Sequence, residues 1–476
     1  MKPDSSAKTE LVWDRRARFA LWLMEHTKEP VFITGRAGTG KSTLLQYFRK
    51  TTSKRVAILA PTGLAAINVM GQTIHSFFRF PSRMITEDAI KRLWGNQVIR
   101  KIDLLIIDEV SMVRADLLDG IHKALQINRK NELLFGGVQV VFFGDLFQLP
   151  PVVSRAEESL MQSYYPTPYF FSAHVFKEVK PIQIELTMVH RQKEEIFLDL
   201  LNQVREDRLT EQGLQFLNDR VLKQAKLPDD YLVLTTVNEK ARRINEDRLK
   251  ALKTPPFTYI AHTDGEFNER DYPTESELTL KVGARVMFLR NDPDGMYVNG
   301  TLGTVEYLKE DLIRIETDEG DQVEVGPEKW ENARYYFDAE ENKVQSETIG
   351  TFTQYPLKLA YAITIHKSQG QTFDKVAIDL DRGAFTHGQT YVALSRCRTL
   401  EGVLLTRAVR PSDILFDPAI YEAQQSFQSG ATVYQEYVAK FKEAKNQLSK
   451  GDSAYVIANR LKLPVATVQQ IERDRV

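Results

Sequence analysis

Short apolar runs alternate with longer stretches of helical periodicity in the first third of the chain. Four such runs lie at 31–35, 55–61, 104–109 and 138–145, and glycine or proline bounds them. Short continuous apolar runs of this kind are typical of buried parallel strands in βαβ units. Sheets built from such units bind ligands at the carboxyl ends of their strands, so we expect functional side chains to follow these runs.

A second α/β region is discontinuous in the sequence. The runs at 231–236, 375–380 and 402–406, together with the stretch before His366, predict one further parallel sheet. Between them, residues 281–350 show short alternating runs separated by glycine, asparagine and aspartate, a pattern typical of antiparallel strands. We therefore predict a small antiparallel β-barrel inserted into the second domain.

Composition then narrows the class of protein. The chain has 476 residues, of which 42 % are hydrophobic and 27 % charged, as in ordinary soluble globular proteins. No apolar run approaches the ~20 residues of a membrane span, and the first ten residues show no apolar signal segment. The single cysteine, Cys397, excludes an internal disulfide framework and a cysteine-rich metal site. We expect a reducing cytoplasmic location, nucleoid-associated in a bacterium, and no membrane partner.

Charge is unevenly distributed. The formal net charge is −1, but residues 306–347 hold fourteen Asp and Glu against five Lys and Arg, which leaves +8 for the rest of the chain. A mildly basic body with one acidic module is compatible with a basic groove for nucleic acid, although the whole chain has no basic footprint.

The strongest motif is GRAGTGKS at 35–42, between the first apolar run and a helical stretch. It matches the pattern of a P-loop, in which glycines let backbone N–H groups approach phosphates at the positive end of a helix. Lys41 then reaches the β- and γ-phosphates, and Ser42 holds Mg²⁺. The predicted nucleotide-binding residues are Gly35, Arg36, Ala37, Gly38, Thr39, Gly40, Lys41, Ser42 and Thr43.

Polar residues also follow two later apolar runs. LLIIDE at 104–109 places Asp108 and Glu109 at a strand end, where Asp108 orients Mg²⁺ and Glu109 activates the attacking water as general base. GDLFQLPPV at 144–152 places Gln148 where its amide can hydrogen-bond a γ-phosphate and that water. An acidic pair alone also occurs as an ordinary strand cap, but the P-loop upstream favours nucleotide hydrolysis.

The ordered set of motifs resembles the Pif-one (petite integration frequency) DNA helicases, in the RecD-like branch of helicase superfamily 1. The longest similar stretch is 108–152, and the resemblance covers roughly 31–407. Other stretches follow in family order at 60–66 (APTGLAA), 71–78 (GQTIHSFF), 186–192 (LTMVHRQ), 362–374 (AITIHKSQGQTFD) and 391–397 (YVALSRC).

This resemblance implies an α/β fold with two RecA-like P-loop domains that contain parallel sheets, an inserted SH3-like β-barrel and a helical C-terminal tail. The predicted parts are a first domain over 1–185 with a wedge-like insert at about 78–100, a second domain over 186–280 and 351–411, the barrel over 281–350, and the tail over 412–476.

The resemblance also implies that ATP binds between the two domains. Arg191 and Arg396 match the two family positions from which the second domain stabilises the transition state, an effect worth about 10³–10⁵ in rate. Gly370 lets the second domain's backbone approach the nucleotide. The implied single-strand contacts are Pro61, Thr62, Gly63, His75, Ser76, Phe77, His366, Lys367 and Ser368. Phe77 either stacks on a base or packs in the core.

The sequence predicts an ATP-dependent DNA helicase that translocates 5′→3′ on single-stranded DNA and unwinds duplex or structured DNA. Its expected cofactors are ATP and Mg²⁺, its expected partners are single strands and single-strand/duplex junctions, and it is expected to act as a monomer. The alternatives are a DNA-stimulated ATPase that strips proteins without unwinding, and an ATP-gated DNA-binding adaptor. No glutamine precedes Gln46 to read adenine as in many relatives, so we expect activity with other purine triphosphates.

The tail admits two interpretations. Its last part resembles a helix-turn-helix with a Leu-Pro turn at 463–464, and 432–476 carries eight Lys and Arg against five Asp and Glu, which favours a contact with duplex phosphates. The alternative is a helical hairpin that packs on the second domain. Because the motifs are complete by Arg396, residues after about 430 are expected to be dispensable for ATP hydrolysis.

Overall fold

The computed structural model describes residues 13–188, 194–223, 227–292 and 295–473. The first domain is a parallel sheet flanked by helices. Its strands are β1 (Val31–Gly35), β2 (Val56–Ala60), β3 (Gln72–Thr73), β4 (Leu104–Ile107), β5 (Gln139–Phe143) and β6 (Ile182–Leu186). Its helices are α1 (Arg15–His26), α2 (Lys41–Thr51), α3 (Gly63–Asn68), α4 (Ile74–Phe78), α5 (Gln97–Lys101), α6 (Ala115–Arg129) and α7 (Arg155–Tyr164).

The strand order brings the predicted motifs together. These six strands lie in the order β6-β1-β5-β4-β2-β3, and every neighbouring pair is parallel. Strands β1, β4 and β5 are buried along their whole length, as continuous apolar runs require in a sheet covered on both faces. Because β5 lies between β1 and β4, the residues that follow these three strands meet at one edge.

The second domain and its insert occupy the middle of the chain. Their strands are β7 (Leu232–Thr235), β8 (Pro256–Ile260), β9 (His262–Gly265), β10 (Glu277–Lys281), β11 (Arg285–Phe288), β12 (Leu302–Leu308), β13 (Ile313–Thr317), β14 (Gln322–Val325), β15 (Glu328–Asp338), β16 (Lys343–Gln354), β17 (Leu357–Leu359), β18 (Ala362–Thr364), β19 (Val376–Asp379) and β20 (Val403–Leu405). The helices are α8 (Glu195–Arg205), α9 (Glu211–Asn218), α10 (Asn238–Ala251) and α11 (Gln389–Leu394). Strands β18-β7-β19-β20 form a second parallel sheet, which confirms the predicted α/β class.

The insert is antiparallel and larger than its predicted span of 281–350. Strands β14-β13-β12-β11-β17 form one sheet, β8 pairs with β10, and β15, β16 and β9 form another. The antiparallel strands therefore begin at Pro256. No apolar alternation marks β9 in the sequence, because each of its four residues is exposed. The SH3-like form of the insert stays a prediction.

The long β15–β16 hairpin contacts the first domain at the β2–β3 edge. The Tyr335 hydroxyl accepts a hydrogen bond from the Ile58 N–H at 3.3 Å and donates to the Ile58 carbonyl at 3.4 Å. The Tyr335 ring also meets Phe77 of α4, with 6.1 Å between ring centroids. The insert thus borders the region where the predicted single-strand contacts of the first domain lie.

The C-terminal helices are α12 (Ala419–Ser426), α13 (Gly430–Ser449), α14 (Ala454–Leu461) and α15 (Val465–Arg473), and the short strand β21 (Gln428–Ser429) extends the first sheet beside β6. Helices α13 to α15 pack on the first domain, whereas α12 also contacts the second domain, where the Tyr421 hydroxyl donates to the Glu206 carbonyl at 2.9 Å. Trp22 of α1 lies 4.9 Å from Tyr437 and 5.3 Å from Phe441, measured between ring centroids. The predicted alternative of a hairpin on the second domain is therefore wrong, because helical spacing shows that a face is buried without showing against which domain.

The burial of apolar tail residues argues against the expectation that residues after about 430 are dispensable for ATP hydrolysis. Ile457 and Val468 are completely buried in the same apolar cluster as Leu44 of α2 and Val31 of β1. Truncation after Gly430 would expose that cluster. Among the described residues, no helix has the length and apolar character needed to cross a membrane.

Candidate functional site

The P-loop joins β1 to α2. Gly38 and Gly40 have φ values of 79° and 82°, a left-handed conformation that glycine adopts readily, and α2 begins at Lys41. The Lys41 ammonium donates to the Gly35 carbonyl at 2.6 Å and to the Arg36 carbonyl at 3.1 Å. Burial lowers the pKa of Lys41, although nearby carboxylates oppose this shift. The loop thus presents one half-buried amine and backbone N–H groups at a helix start, the donors that phosphates need.

Two carboxyl groups follow β4. Burial raises the pKa of Asp108 to about 7, and the neighbouring Glu109 adds to that shift. Burial also raises the pKa of Glu109, while Lys41 and Arg396 oppose it. Glu109 has φ 48° and ψ 44°, a conformation that residues other than glycine seldom adopt and that clusters at functional sites.

These carboxyl groups fit a divalent cation. A half-buried pair with raised pKa values is stabilised in its ionised form by a nearby positive charge, and Mg²⁺ prefers oxygen ligands such as Asp108 and the Ser42 hydroxyl. No group of three or more His, Cys, Asp or Glu side chains in the described part of the chain is arranged as a metal cluster. A cation held by one or two carboxylates together with nucleotide phosphates matches this arrangement.

The loop after β5 carries Asp145 and Gln148, and both side chains are buried. The Gln148 N–H donates to the Asp145 carbonyl at 3.0 Å, and the Phe147 N–H donates to the Asp145 carboxylate at 3.2 Å. Burial raises the pKa of Asp145, but the charges of Arg205 and Lys41 outweigh it and hold that pKa below its usual range. Asp145 is therefore a fixed negative charge at the base of the loop that presents Gln148.

Arg396 comes from the second domain and is 1 % exposed. Its guanidinium donates to the carbonyls of Val392, Ser368 and Gln371 at 2.9, 3.2 and 3.1 Å. Its positive charge opposes the rise in the pKa of Glu109, so the guanidinium is close enough to act on that carboxyl from the other domain. Gly370, with φ 78°, lies in the loop that Arg396 holds, and a side chain added there would meet open space. The other predicted arginine, Arg191, lies outside the described residues.

Two further residues of this site were not predicted from the sequence. Arg205, at the end of α8, pairs with Asp145 at 3.0 Å, and its guanidinium lies 3.9 Å from the ring centre of Phe147. The Tyr391 hydroxyl lies 3.3 Å from the Ala37 nitrogen and 3.4 Å from the Asp145 carboxylate. Tyr391 falls within 391–397, one of the stretches that resemble the helicase family, but nothing in that stretch indicates its partners. Arg205 lies outside all of these stretches, and the sequence marks it only as a cation at the end of an amphipathic helix.

The predicted single-strand contacts of the first domain lie where β2 and β3 end. Thr62 caps α3 by accepting the Ala65 N–H, and Gly63 is the first residue of that helix. His75 and Ser76 lie in α4, directly after β3. Pro61, Thr62 and His75 line one side of a cavity of about 270 Å³. The structure thus brings these residues together at one edge.

Three predicted contacts require correction or a narrower role. Phe77 is 5 % exposed and packs against Phe78 at 4.9 Å between ring centroids, so its ring belongs to the core and is not available to stack on a base. Ser368 is completely buried, and its hydroxyl donates to the Ile365 carbonyl at 2.8 Å, so it anchors Arg396 rather than a DNA strand. His366 is half-buried, whereas Lys367 is exposed and remains the accessible cation of this segment.

Comparisons with known proteins agree with this geometry. Residues 21–213 match the family model described as PIF1-like helicase. The ATP-dependent DNA helicase Pif1 of Bdellovibrio bacteriovorus is 35 % identical over 415 residues, which cover 84 % of this chain and 89 % of that protein. The protein of the same name from Campylobacter jejuni is 34 % identical and is covered over 86 % of its length by 77 % of this chain.

Solved structures of a Bacteroides Pif1 are similar as well. Its complex with ADP-AlF4 superposes with a TM-score of 0.81 at 37 % identity, covering 88 % of this chain and 97 % of that one. The structure of Bacteroides Pif1 bound to single-stranded DNA has a TM-score of 0.65 at 38 % identity and the same coverage.

Proposed function

Since the chain belongs to the PIF1-like helicase family of ATP-dependent DNA helicases, we propose that it hydrolyses ATP between its two RecA-like domains to move 5′→3′ along single-stranded DNA, unwinding duplex or structured DNA ahead of it. One observation carries this proposal. Groups from both domains meet in one buried cleft, where Lys41, Glu109 and Asp145 face Tyr391 and Arg396.

Each group has a role that follows from its chemistry. Lys41 and the P-loop N–H groups bind the β- and γ-phosphates. Glu109, raised in pKa by burial, accepts the proton of the attacking water, and Gln148 orients that water. Arg396 stabilises the charge that develops on the γ-phosphate. Ser42 and Asp108 would hold Mg²⁺, which would neutralise phosphate charge.

The division of the site between two domains couples hydrolysis to movement. Arg396 completes the site only while the second domain lies against the first, so each round of binding and hydrolysis closes and reopens the cleft. The proposed single-strand contacts lie in both domains, at Pro61, Thr62 and His75, which line a cavity of the first, and at the exposed Lys367 of the second. A change in the separation of the domains therefore changes the distance between the two sets of residues that bind the DNA backbone.

Several finer points belong to the same proposal. The chain acts as a monomer in the cytoplasm, on single strands and their junctions with duplex. One similar solved structure describes DNA unwinding at forked duplex DNA by two coordinating Pif1 helicases, so sedimentation of this chain on a forked duplex tests the proposed monomer. Since no glutamine precedes the P-loop, other purine triphosphates are also accepted.

An unwinding assay on tailed duplexes tests the proposal. The full chain should separate a duplex with a 5′ single-stranded tail in the presence of ATP and Mg²⁺, and should leave a 3′-tailed duplex intact. A Lys41→Ala variant serves as the inactive control. Unwinding of the 3′-tailed substrate instead would show that the direction of movement is 3′→5′, opposite to the proposed one. DNA-stimulated hydrolysis without unwinding of either substrate would favour a translocase that strips proteins.

A further inference from the structure

The hydroxyl of Tyr391 connects the second domain to two loops of the first. Tyr391 lies in α11 and is 3 % exposed. Its oxygen accepts a hydrogen bond from the Ala37 N–H of the P-loop at 3.3 Å and donates to the Asp145 carboxylate at 3.4 Å. A single phenolic oxygen thus links the loop that binds phosphates to the loop that carries Gln148.

The second domain also holds the other oxygen of the same carboxylate. Arg205 of α8 donates to Asp145 at 3.0 Å and lies over the Phe147 ring. Nearby, the His387 ring nitrogen lies 3.2 Å from the Leu146 carbonyl. Helix α8 packs on α11, so Arg205 and Tyr391 belong to one packed unit of the second domain. Every residue of the loop between Asp145 and Phe147 therefore contacts the second domain.

Stability alone does not account for this arrangement. A buried ion pair contributes little net stability, because the lost hydration of both charges offsets their attraction. The Arg205 Nε is buried and has no hydrogen-bond partner among the described residues, which adds a further cost. Polar groups that meet between two moving domains recover their hydration when the domains separate, so such a contact can form and break repeatedly.

We propose that Tyr391, together with Arg205, is a positioning residue for ATP hydrolysis, which aligns the P-loop amide of Ala37 and the Gln148 loop when the second domain closes. The two contacts of the hydroxyl are long for hydrogen bonds, so closer approach of the domains strengthens both. The inference rests on the proposed function because it assumes hydrolysis in this cleft.

The test is Tyr391→Phe, which removes one oxygen and keeps the buried ring. DNA-stimulated kcat should fall about tenfold, the size expected for one hydrogen bond to a charged group. The KM for ATP should change less than twofold, and the rate without DNA should fall by a clearly smaller factor than the DNA-stimulated rate. Tyr437→Phe is the matched control, since Tyr437 is also a buried tyrosine but lies between α13 and α1. It should keep wild-type values of all three quantities.

A double-variant comparison separates positioning from simple packing. In an Asp145→Asn background, adding Tyr391→Phe should lower kcat by less than twofold, because the hydroxyl has already lost its charged acceptor. A full tenfold further loss would overturn the proposal. So would wild-type stimulation by DNA in Tyr391→Phe, or an equal loss of stimulated and unstimulated turnover.

Hydrogen exchange of the P-loop provides a measurement that does not depend on turnover. The peptide containing Ala37 should exchange faster in Tyr391→Phe than in the wild type and in Tyr437→Phe, and unchanged exchange would overturn the contact. Absence of DNA-stimulated hydrolysis in the wild-type chain would count against the proposed function, and the exchange result alone would then decide the Tyr391 contact.

Discussion

Two interfaces of this molecule join segments that are distant in the chain, and their chemistry differs. In the cleft between the domains the contacts are polar, as between Asp145 and Arg205 or Tyr391. Between α1 and the C-terminal helices the contacts are aromatic, as between Trp22 and Tyr437 or Phe441. Both are buried, but the groups around Asp145 regain hydration when they separate, whereas the aromatic rings do not.

The difference follows from hydration. Charges and hydroxyls that separate regain water, which offsets most of the lost attraction. Apolar surface that separates costs about 25 cal/mol for each Å² exposed, so the aromatic interface stays closed. We infer that the cleft is the working interface of the helicase, whereas helices α13 to α15 are a permanent part of the first domain. The predictions that follow test the cleft first and the tail last.

Lys41→Ala should have the largest effect on the reaction. Without its ammonium the P-loop loses the cation that holds the β- and γ-phosphates, so DNA-stimulated ATP hydrolysis should fall to background. Affinity for single-stranded DNA in the absence of nucleotide, measured by fluorescence anisotropy, should stay within about twofold of wild type because the strand contacts lie elsewhere. Hydrolysis at a near-normal rate would refute the assignment of the P-loop.

Arg396→Ala should lower DNA-stimulated kcat by about 10³-fold, since the second domain then delivers no charge to the γ-phosphate. The KM for ATP should change far less. Arg398→Ala is a suitable control, because Arg398 is half-exposed and pairs with Asp374 at 3.0 Å, outside the cleft. We expect a similar loss for Arg191→Ala on the strength of its motif. If both variants kept full stimulation by DNA, the two-domain site would be refuted.

Glu109→Gln should lower kcat by about 10²-fold or more, because the amide keeps the size of the side chain but accepts no proton. ATP should still bind and close the cleft, so this variant should hold single-stranded DNA more tightly with ATP than without it. Lys41→Ala, which lacks the phosphate contact, should show no such difference. Turnover like that of the wild type would show that another residue activates the water.

The rate of ATP hydrolysis should depend on pH, because burial shifts the pKa of Asp108 into the neutral range. Burial raises the pKa of this carboxyl to about 7, so its ionised form is present above that pH and is lost as the pH falls. At limiting Mg²⁺, turnover at pH 6 should be about tenfold below that at pH 8. Added Mg²⁺ should shift the profile to lower pH, because the cation competes with the proton. A flat profile would contradict the proposed role of Asp108.

The contrast between the cleft and the tail interface also explains which features could be predicted from the sequence and which could not. Glu109 and Lys41 lie directly after or within strand–loop–helix motifs, so a local pattern was sufficient to find them. Arg205 acts through a partner 60 residues away in the chain, and no pattern around it indicates an ion pair. The tail showed helical spacing, which reveals an apolar face but not the surface that covers it.

Ile457→Ala is the change that should affect the reaction least. Ile457 of α14 is completely buried in the cluster shared with α1 and α2, so the substitution leaves a cavity that costs about 2–5 kcal/mol of folding free energy. The melting temperature should fall. DNA-stimulated kcat, measured at a temperature where the variant is folded, should stay within about twofold of wild type, because the substitution leaves the side chains of the cleft unchanged. Val456→Ala, on the exposed face of the same helix, should leave both quantities unchanged. If Ile457→Ala kept its stability but lost its stimulation by DNA, α14 would belong to the interface that moves during hydrolysis. The distinction between a polar cleft that opens and an apolar tail interface that stays closed would then not hold.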